Sequence, residues 1–164
     1  MKPKRVASDP FLYSDELVVL VPLSRGKNAI VDARNKGLVS GVDWSYHSSG
    51  YAYNDSLKLL MHQLILPCDD GYEPDHRNRN GLDNRISNLR PATRSQNNMN
   101  AGLRKDNRSG VRGVSWCSTF GKWIARICVD KKIIHVGYFR DFDSAAKARE
   151  LAEVRYFGDF ASRR

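Results

Sequence analysis

The densest group of residues able to do chemistry lies between Glu73 and Asn100 and reads, by spacing, Asp75-His76, eleven residues, Asn88, eight residues, Asn97. Hydrolysis of a phosphodiester needs a cation to neutralise charge on the phosphate and leaving oxygen, and a base that makes water nucleophilic. This cluster offers both. The Asp75 carboxylate is a hard oxygen ligand suited to Mg²⁺, an amide oxygen can be a second ligand, and water and phosphate can take the remaining positions. His76, with an ordinary pKa of about 6.5, is partly neutral at cellular pH and can accept a proton from water. The plainer alternative is that Asn80-Gly81 turns a hairpin, and that Asp75, His76 and Asn88 only satisfy backbone groups of a polar loop.

Such a cluster has to be held by something. From Cys68 to Gly102 the chain is rich in Asn, Asp and Arg, and its few large apolar residues are chiefly Leu82, Ile86, Leu89 and Met99. That segment cannot build a core alone and needs a docking surface or a metal ion. Upstream, residues 14–66 read as β-rich, with an apolar run at Leu17–Val21, a turn at Arg25–Asn28, and a second run at Ala29–Val31. Trp44, Tyr46 and Tyr51-Ala52-Tyr53 suggest further short strands. A helix is expected over Leu57–Leu66, capped by Asp55 or Ser56 and ended by Pro67. Residues 103–110 are polar, basic and Gly-terminated, which reads as a linker. Beyond it, three strands are expected at Val111–Trp116, Lys122–Val129 and Lys132–Phe139, then an amphipathic helix at Asp143–Phe157. In the second strand Trp123, Ala125, Ile127 and Val129 alternate with Lys122, Ile124, Arg126 and Cys128, so one face is covered. The helix is the natural cover, with Asp143 as its cap and Ala145, Ala148, Ala152 and Tyr156 toward the sheet.

The charge distribution narrows the partners. Of the 164 residues, 27 are Lys or Arg and 18 are Asp or Glu, for a net +9. Residues 1–70 carry eight of each sign, residues 71–110 eight basic against four acidic, and residues 111–164 eleven against six. The whole excess lies in the second half, the arrangement a polyphosphate partner requires; a solvated basic surface is the simpler account. No apolar run approaches the roughly 20 residues needed to span a bilayer, and Met1-Lys-Pro-Lys-Arg5 is not followed by an apolar signal stretch. A soluble, cytoplasmic chain is therefore expected, with no membrane partner and no small-molecule substrate. Cys68, Cys117 and Cys128 are odd in number and form no CxxC pair, so they read as packing residues, and no structural zinc is expected.

Residues 75–100 resemble the ββα-metal motif of HNH endonucleases, above all the phage homing nucleases that read Asp-His-x-Asn-Gly-x-x-x-Asp-Asn-Arg-x-x-Asn-Leu-Arg. The resemblance implies a strand ending at the Asp-His pair, a loop, a second strand, and a short helix. It makes Asp75 the metal-binding aspartate, His76 the general base, Asn88 the asparagine that orients the base, and Asn97 the second metal ligand. Many relatives have histidine at the last position, and the adjacent Asn98 competes for the assignment. Such a replacement can change metal preference, with Mg²⁺ first and Mn²⁺ second. Upstream, Gly26-x-x-Ala29-x-Val31-Asp32, Trp44, Gly50-Tyr51-Ala52 and His62 are similar to the N-terminal region of phage HNH proteins, His62 being read as structural.

Arg112-Gly-Val, Lys122-Trp123, Val136-Gly-Tyr-Phe139 and the alanine-rich helix resemble the ethylene-response-factor type of DNA-binding domain. That family lays a three-stranded sheet in the DNA major groove. By register, Arg112, Ser115, Lys122, Arg126 and His135 are the positions most like its DNA-facing ones; an arginine can read guanine there, and Lys122 suits phosphate. The family's run of arginines in the first strand is missing, since Ser115-Trp116-Cys117 stands in its place. A basic sheet face in contact with solvent is the alternative.

Together these readings imply an α+β chain: a nuclease domain at 1–102 with its ββα-metal motif at about 70–102, a linker at 103–110, and a DNA-binding domain at 111–161. The expected activity is metal-dependent, homing-type cleavage of double-stranded DNA by a monomer or weak dimer, in the bacterial host cytoplasm if phage-encoded. A catalytically inactive, sequence-specific DNA-binding or regulatory protein is the competing expectation.

Overall fold

The computed structural model describes residues 17–103 and 105–161. The basic Met1–Arg5 stretch and the first residues of the expected β-rich region lie outside them. Within the described residues the chain is mixed α and β, built from several small sheets and short helices.

A hairpin opens the description. Strands β1 (Val18–Pro22) and β2 (Asn28–Asp32) pair antiparallel with Val19 opposite Val31. They are joined through Arg25 and Gly26, both at positive φ (61° and 65°), a conformation that Gly26 adopts without side-chain cost. Ala29 and Val31 point into a core with Val39, Trp44, Ala52, Met61, Ile65 and Leu89. Helix α1 (Lys36–Val39) and a three-stranded sheet of β3 (Ser45–Tyr46), β4 (Ala52–Asn54) and β5 (Leu59–Leu60) wrap this core.

The helix expected over Leu57–Leu66 is shorter. Only Met61–Ile65 is helical (α2), because Lys58 sits at φ 52° and Leu60 pairs with Tyr53 instead. Asn54, not Asp55 or Ser56, caps the turn by accepting from the Leu57 N–H at 2.6 Å, and Gln63 caps α2 through the Leu60 N–H.

The segment carrying the candidate chemistry is a hairpin followed by a helix. Strand β6 (Tyr72–His76) pairs antiparallel with β7 (Leu89–Thr93), so that Asp75 faces Arg90 and His76 faces Leu89. Helix α3 (Arg94–Asn100) follows at once, started by a reciprocal cap in which Thr93 Oγ1 accepts from the Gln96 N–H while Gln96 Oε1 accepts from the Thr93 N–H. Between the strands, the loop is laced to β2. The Ile30 N–H donates to the Leu82 carbonyl, the Asn84 N–H to the Ile30 carbonyl, and the Ile86 N–H to Asp32 Oδ2.

The C-terminal part is a three-stranded antiparallel sheet, β8 (Val114–Cys117), β9 (Lys122–Val129) and β10 (Lys132–Phe139), covered on one face by α4 (Phe142–Phe157). The first strand is shorter than expected because Val111–Gly113 form a turn: Gly113 has φ 72°, and a Cβ there would sit 2.2 Å from the Arg126 carbonyl oxygen. Asp141, not Asp143, caps the helix by accepting from the Ser144 N–H at 2.7 Å. Ala145 and Ala152 are buried as expected, but Tyr156 is exposed and Phe157 takes its place in the core. Of the cysteines, Cys68 and Cys117 are half-buried while Cys128 is exposed on the uncovered face, so it is not a packing residue. The two parts touch: Met99 of α3 packs against the cluster of Ile127, Ala152 and Phe157, and Arg112 donates to the carbonyls of Met99 and Ala101.

Candidate active site

Asp75 and His76 end strand β6, both buried. The His76 ring is fixed on one side by Asn84, whose Oδ1 lies 3.1 Å from Nε2. The Asn84 amide nitrogen is turned toward Met61 Sδ and the Leu82 carbonyl, both at 3.4 Å, so its oxygen faces the imidazole and Nε2 is the donor. The lone pair of neutral His76 is therefore on Nδ1. Burial pushes the imidazole below its ordinary pKa, against the Asn84 hydrogen bond and the charges of Asp75 and Asp83, so the free base dominates at neutral pH. Two rings pack against it: His62, edge-on at 4.8 Å, and Tyr51 at 5.6 Å. Burial, helped by His76, pushes His62 down to about 3. Its Nδ1 has no hydrogen-bond partner among the described residues.

The Asp75 carboxylate is gripped from two sides. Arg90, its cross-strand neighbour, donates to Oδ2 through Nε at 2.8 Å and Nη2 at 2.7 Å. Asn100 Nδ2 lies 3.0 Å from each Asp75 oxygen and 2.8 Å from the His76 carbonyl. Sequence reasoning did not single out Arg90 or Asn100; the hint available was a helix holding Asn97, Asn98 and Asn100. Asn97 shares a helix face with Asn100, three residues on, whereas Asn98 is exposed.

Among the described residues, Asn88 directs its side-chain hydrogen bonds to the loop and not to the His76 ring. Its Nδ2 donates to the Asp83 carbonyl at 2.7 Å and its Oδ1 accepts from the Asn78 N–H at 3.0 Å, so it ties both ends of the loop that presents Asn84. Asp83, held below the usual carboxylate range first by its hydrogen bond to Arg85, receives that guanidinium at 2.7 and 2.8 Å and Asn78 Nδ2 at 2.8 Å. Gly81 lets this loop lie against Gly50 and Tyr51, since a Cβ would come within 2.6 Å of both.

Among the described residues no group of three His, Cys, Asp or Glu side chains could cage a metal. One carboxylate with a nearby amide oxygen is instead the donor set of a hydrated hard cation, which takes one or two protein oxygens and fills its shell with water and phosphate. The residues fit Mg²⁺ or Mn²⁺ on that basis.

The remaining candidates belong to the C-terminal part, four of them on its sheet. Strand alternation puts Ser115, Lys122, Arg126 and His135 on the face opposite α4, with Arg126 paired to His135 across β9 and β10. Ser115, Lys122, Arg126 and His135 are exposed. Phe120 and Tyr138 join this face, with ring centroids 5.2 Å apart, and His135 packs on Tyr138 at 4.5 Å. Arg112 lies in the turn before β8, and its Nη1 donates to the carbonyls of Met99 and Ala101 at the C-terminal end of α3. No helix among the described residues is long and apolar enough to cross a membrane.

Residues 67–99, which include the whole hairpin and nearly all of α3, match the sequence family described as HNH endonuclease. Over 173 aligned positions the chain is 30% identical to an uncharacterized HNH endonuclease of Acanthamoeba polyphaga mimivirus, a match covering 98% of this chain and 89% of that protein. A stretch of 66 residues, 40% of the chain, is 33% identical to Protein 3.8 of Escherichia phage T7, of which it spans 54%.

Proposed function

The chain belongs to the HNH endonuclease family, and from that premise we propose that it is a metal-dependent, homing-type endonuclease acting on double-stranded DNA through a ββα-metal site at β6, β7 and α3. The observation that carries the reading is the buried Asp75-His76 pair with its tautomer fixed, Nε2–H on Asn84 and the lone pair on Nδ1. Nδ1 takes a proton from the attacking water. Asn84 holds the ring while charge grows on it, and Asn88 holds the loop that carries Asn84. Asp75 and the amide oxygen of Asn97 would hold a divalent ion, which would supply neutralising charge for the phosphate and the leaving oxygen. By family analogy the products are a 5′ phosphate and a 3′ hydroxyl.

The C-terminal part, residues 111–161 after a linker at 103–110, supplies the grip on DNA in the manner of an ethylene-response-factor domain. Ser115, Lys122, Arg126 and His135 face the duplex. The exposed basic face and the charge excess of the chain's second half support this; Arg112, half-exposed beside the sheet, would join them while its Nη1 holds the end of α3.

A competing reading, a DNA-binding protein that does not cut, draws on one observation: both Asp75 oxygens already carry donors from Arg90 and Asn100. Plasmid nicking with Mg²⁺ or Mn²⁺ separates the two. The parent chain should convert supercoiled DNA to nicked circles and His76→Ala should not. Retained DNA binding with no cutting by the parent under either metal favours the non-cutting reading.

A further inference from the structure

Arg90 does more than face Asp75. Its guanidinium is used on three sides at once: Nε and Nη2 grip Asp75 Oδ2, Nη1 donates to the Asp159 carbonyl, and Cζ lies over the Phe160 ring, 3.8 Å from its centroid. The first contact belongs to the nuclease hairpin. The other two come from the turn that follows α4, nearly 70 positions further along the chain.

We propose that Phe160, with the Asp159 carbonyl, positions the metal-binding carboxylate through Arg90, so that the C-terminal unit sets the geometry of the cutting site. The inference rests on the metal-dependent reading given above. An arginine side chain has four soft torsions, and the hairpin register alone brings the two residues side by side without fixing the fork. Stacking on Phe160 and the bond to Asp159 fix its plane. The plane then decides which carboxylate oxygen it takes. Arg90 occupies Oδ2 alone, and among the described residues Oδ1 meets only the neutral Asn100 amide, so the less encumbered oxygen is the one left for a cation. A guanidinium free to turn would share its charge between both oxygens and compete with the ion. The contacts of Arg112 with Met99 and Ala101 brace α3, which carries Asn97, from the same C-terminal side.

The test compares the full-length parent with Phe160→Leu, which keeps apolar packing but removes the π face, Phe160→Tyr, which keeps the face, and Arg90→Lys, which keeps the charge but loses the fork. Mn²⁺ affinity is measured directly by calorimetry, beside plasmid nicking and DNA binding in EDTA. Partners that orient a metal ligand are worth about 10–100-fold in metal affinity or activity. Phe160→Leu and Arg90→Lys should therefore weaken Mn²⁺ binding by about tenfold with DNA binding in EDTA unchanged, and Phe160→Tyr should restore it. Unchanged or tighter Mn²⁺ binding by a folded Phe160→Leu chain overturns the inference and leaves the nuclease reading standing. If Phe160→Leu does not fold, unchanged Mn²⁺ binding by Arg90→Lys overturns it equally. A parent chain that binds no Mn²⁺ and cuts no DNA overturns the nuclease reading, and this inference with it.

Discussion

Replacing Asn84 by alanine isolates the contact that fixes the base. The bond from His76 Nε2 to Asn84 Oδ1 is a buried neutral pair at 3.1 Å, worth about 1–1.5 kcal/mol net. At about 1.4 kcal/mol per tenfold in rate, loss of the held ring should lower kcat for nicking about 5–12-fold. Asn84 is fully buried, so the same change opens a cavity and leaves the His76 N–H unsatisfied, for about 2–4 kcal/mol of stability. Urea unfolding measures the second effect, and nicking by the folded fraction measures the first. Asn84→Asp separates them further. It keeps an acceptor but adds a charge that favours the imidazolium, so the acid limb of the rate profile should move to higher pH. A folded Asn84→Ala chain that nicks within about twofold of the parent, a difference of less than 0.5 kcal/mol in the barrier, would refute the tautomer argument.

Three further outcomes follow from the same contacts. Asn97→Ala should cut nicking by more than about tenfold, while Asn98→Ala, which alters an exposed position, should stay within twofold on the same gel assay, by roughly the size expected of a surface change. Gly113→Ala should destabilise the chain by about 2–4 kcal/mol in urea unfolding, because its φ of 72° and the Arg126 carbonyl 2.2 Å from a Cβ both oppose a side chain. His62 is neutral in the folded chain, with its pKa pushed down to about 3, and titrates near 6.5 when unfolded. Below pH 6.5 the unfolded state binds the extra proton, so stability is full above that pH and is lost as pH falls toward 3. Thermal unfolding between pH 7 and 4.5 should show this loss, and His62→Leu should flatten it; equal slopes in both chains would count against the burial of that ring.

Much of this architecture was legible in the residues because period and punctuation coincide with the tertiary answer. The alternation in Lys122–Val129 marks the covered face, and β9 and β10 run as expected, since each inward residue has α4 to meet. Where tertiary pairing competes with local pattern the reading fails. Leu57–Leu66 has a helix's apolar spacing, but pairing of Leu60 with Tyr53 and the positive φ of Lys58 claim its first half. In the site, Asp75 and His76 could be picked out because their chemistry is written in residue type. Asn84, Arg90 and Asn100 could not, because their roles depend on which way an amide or a fork is turned, and that is settled by neighbours as remote as Met61 and Phe160.

The polar composition of Cys68–Gly102 posed a choice between a docking surface and a metal ion as what holds it. The fold supplies docking on two sides. Leu89, with Leu82 and Ile86, joins the core built by β2, α1 and α2, whereas Met99 joins the separate core under α4. The hairpin and its helix are therefore suspended between two apolar anchors, and the backbone bonds from β2 to the loop add a third attachment. Cohesion does not have to come from a metal ion, so under the proposed reading an ion's free energy would remain available for the phosphate. This arrangement also explains why Asp75 can keep a neutralising arginine: with the strand already held, Arg90 is free to set the carboxylate's orientation, and the contacts that fix Arg90 come from the second anchor.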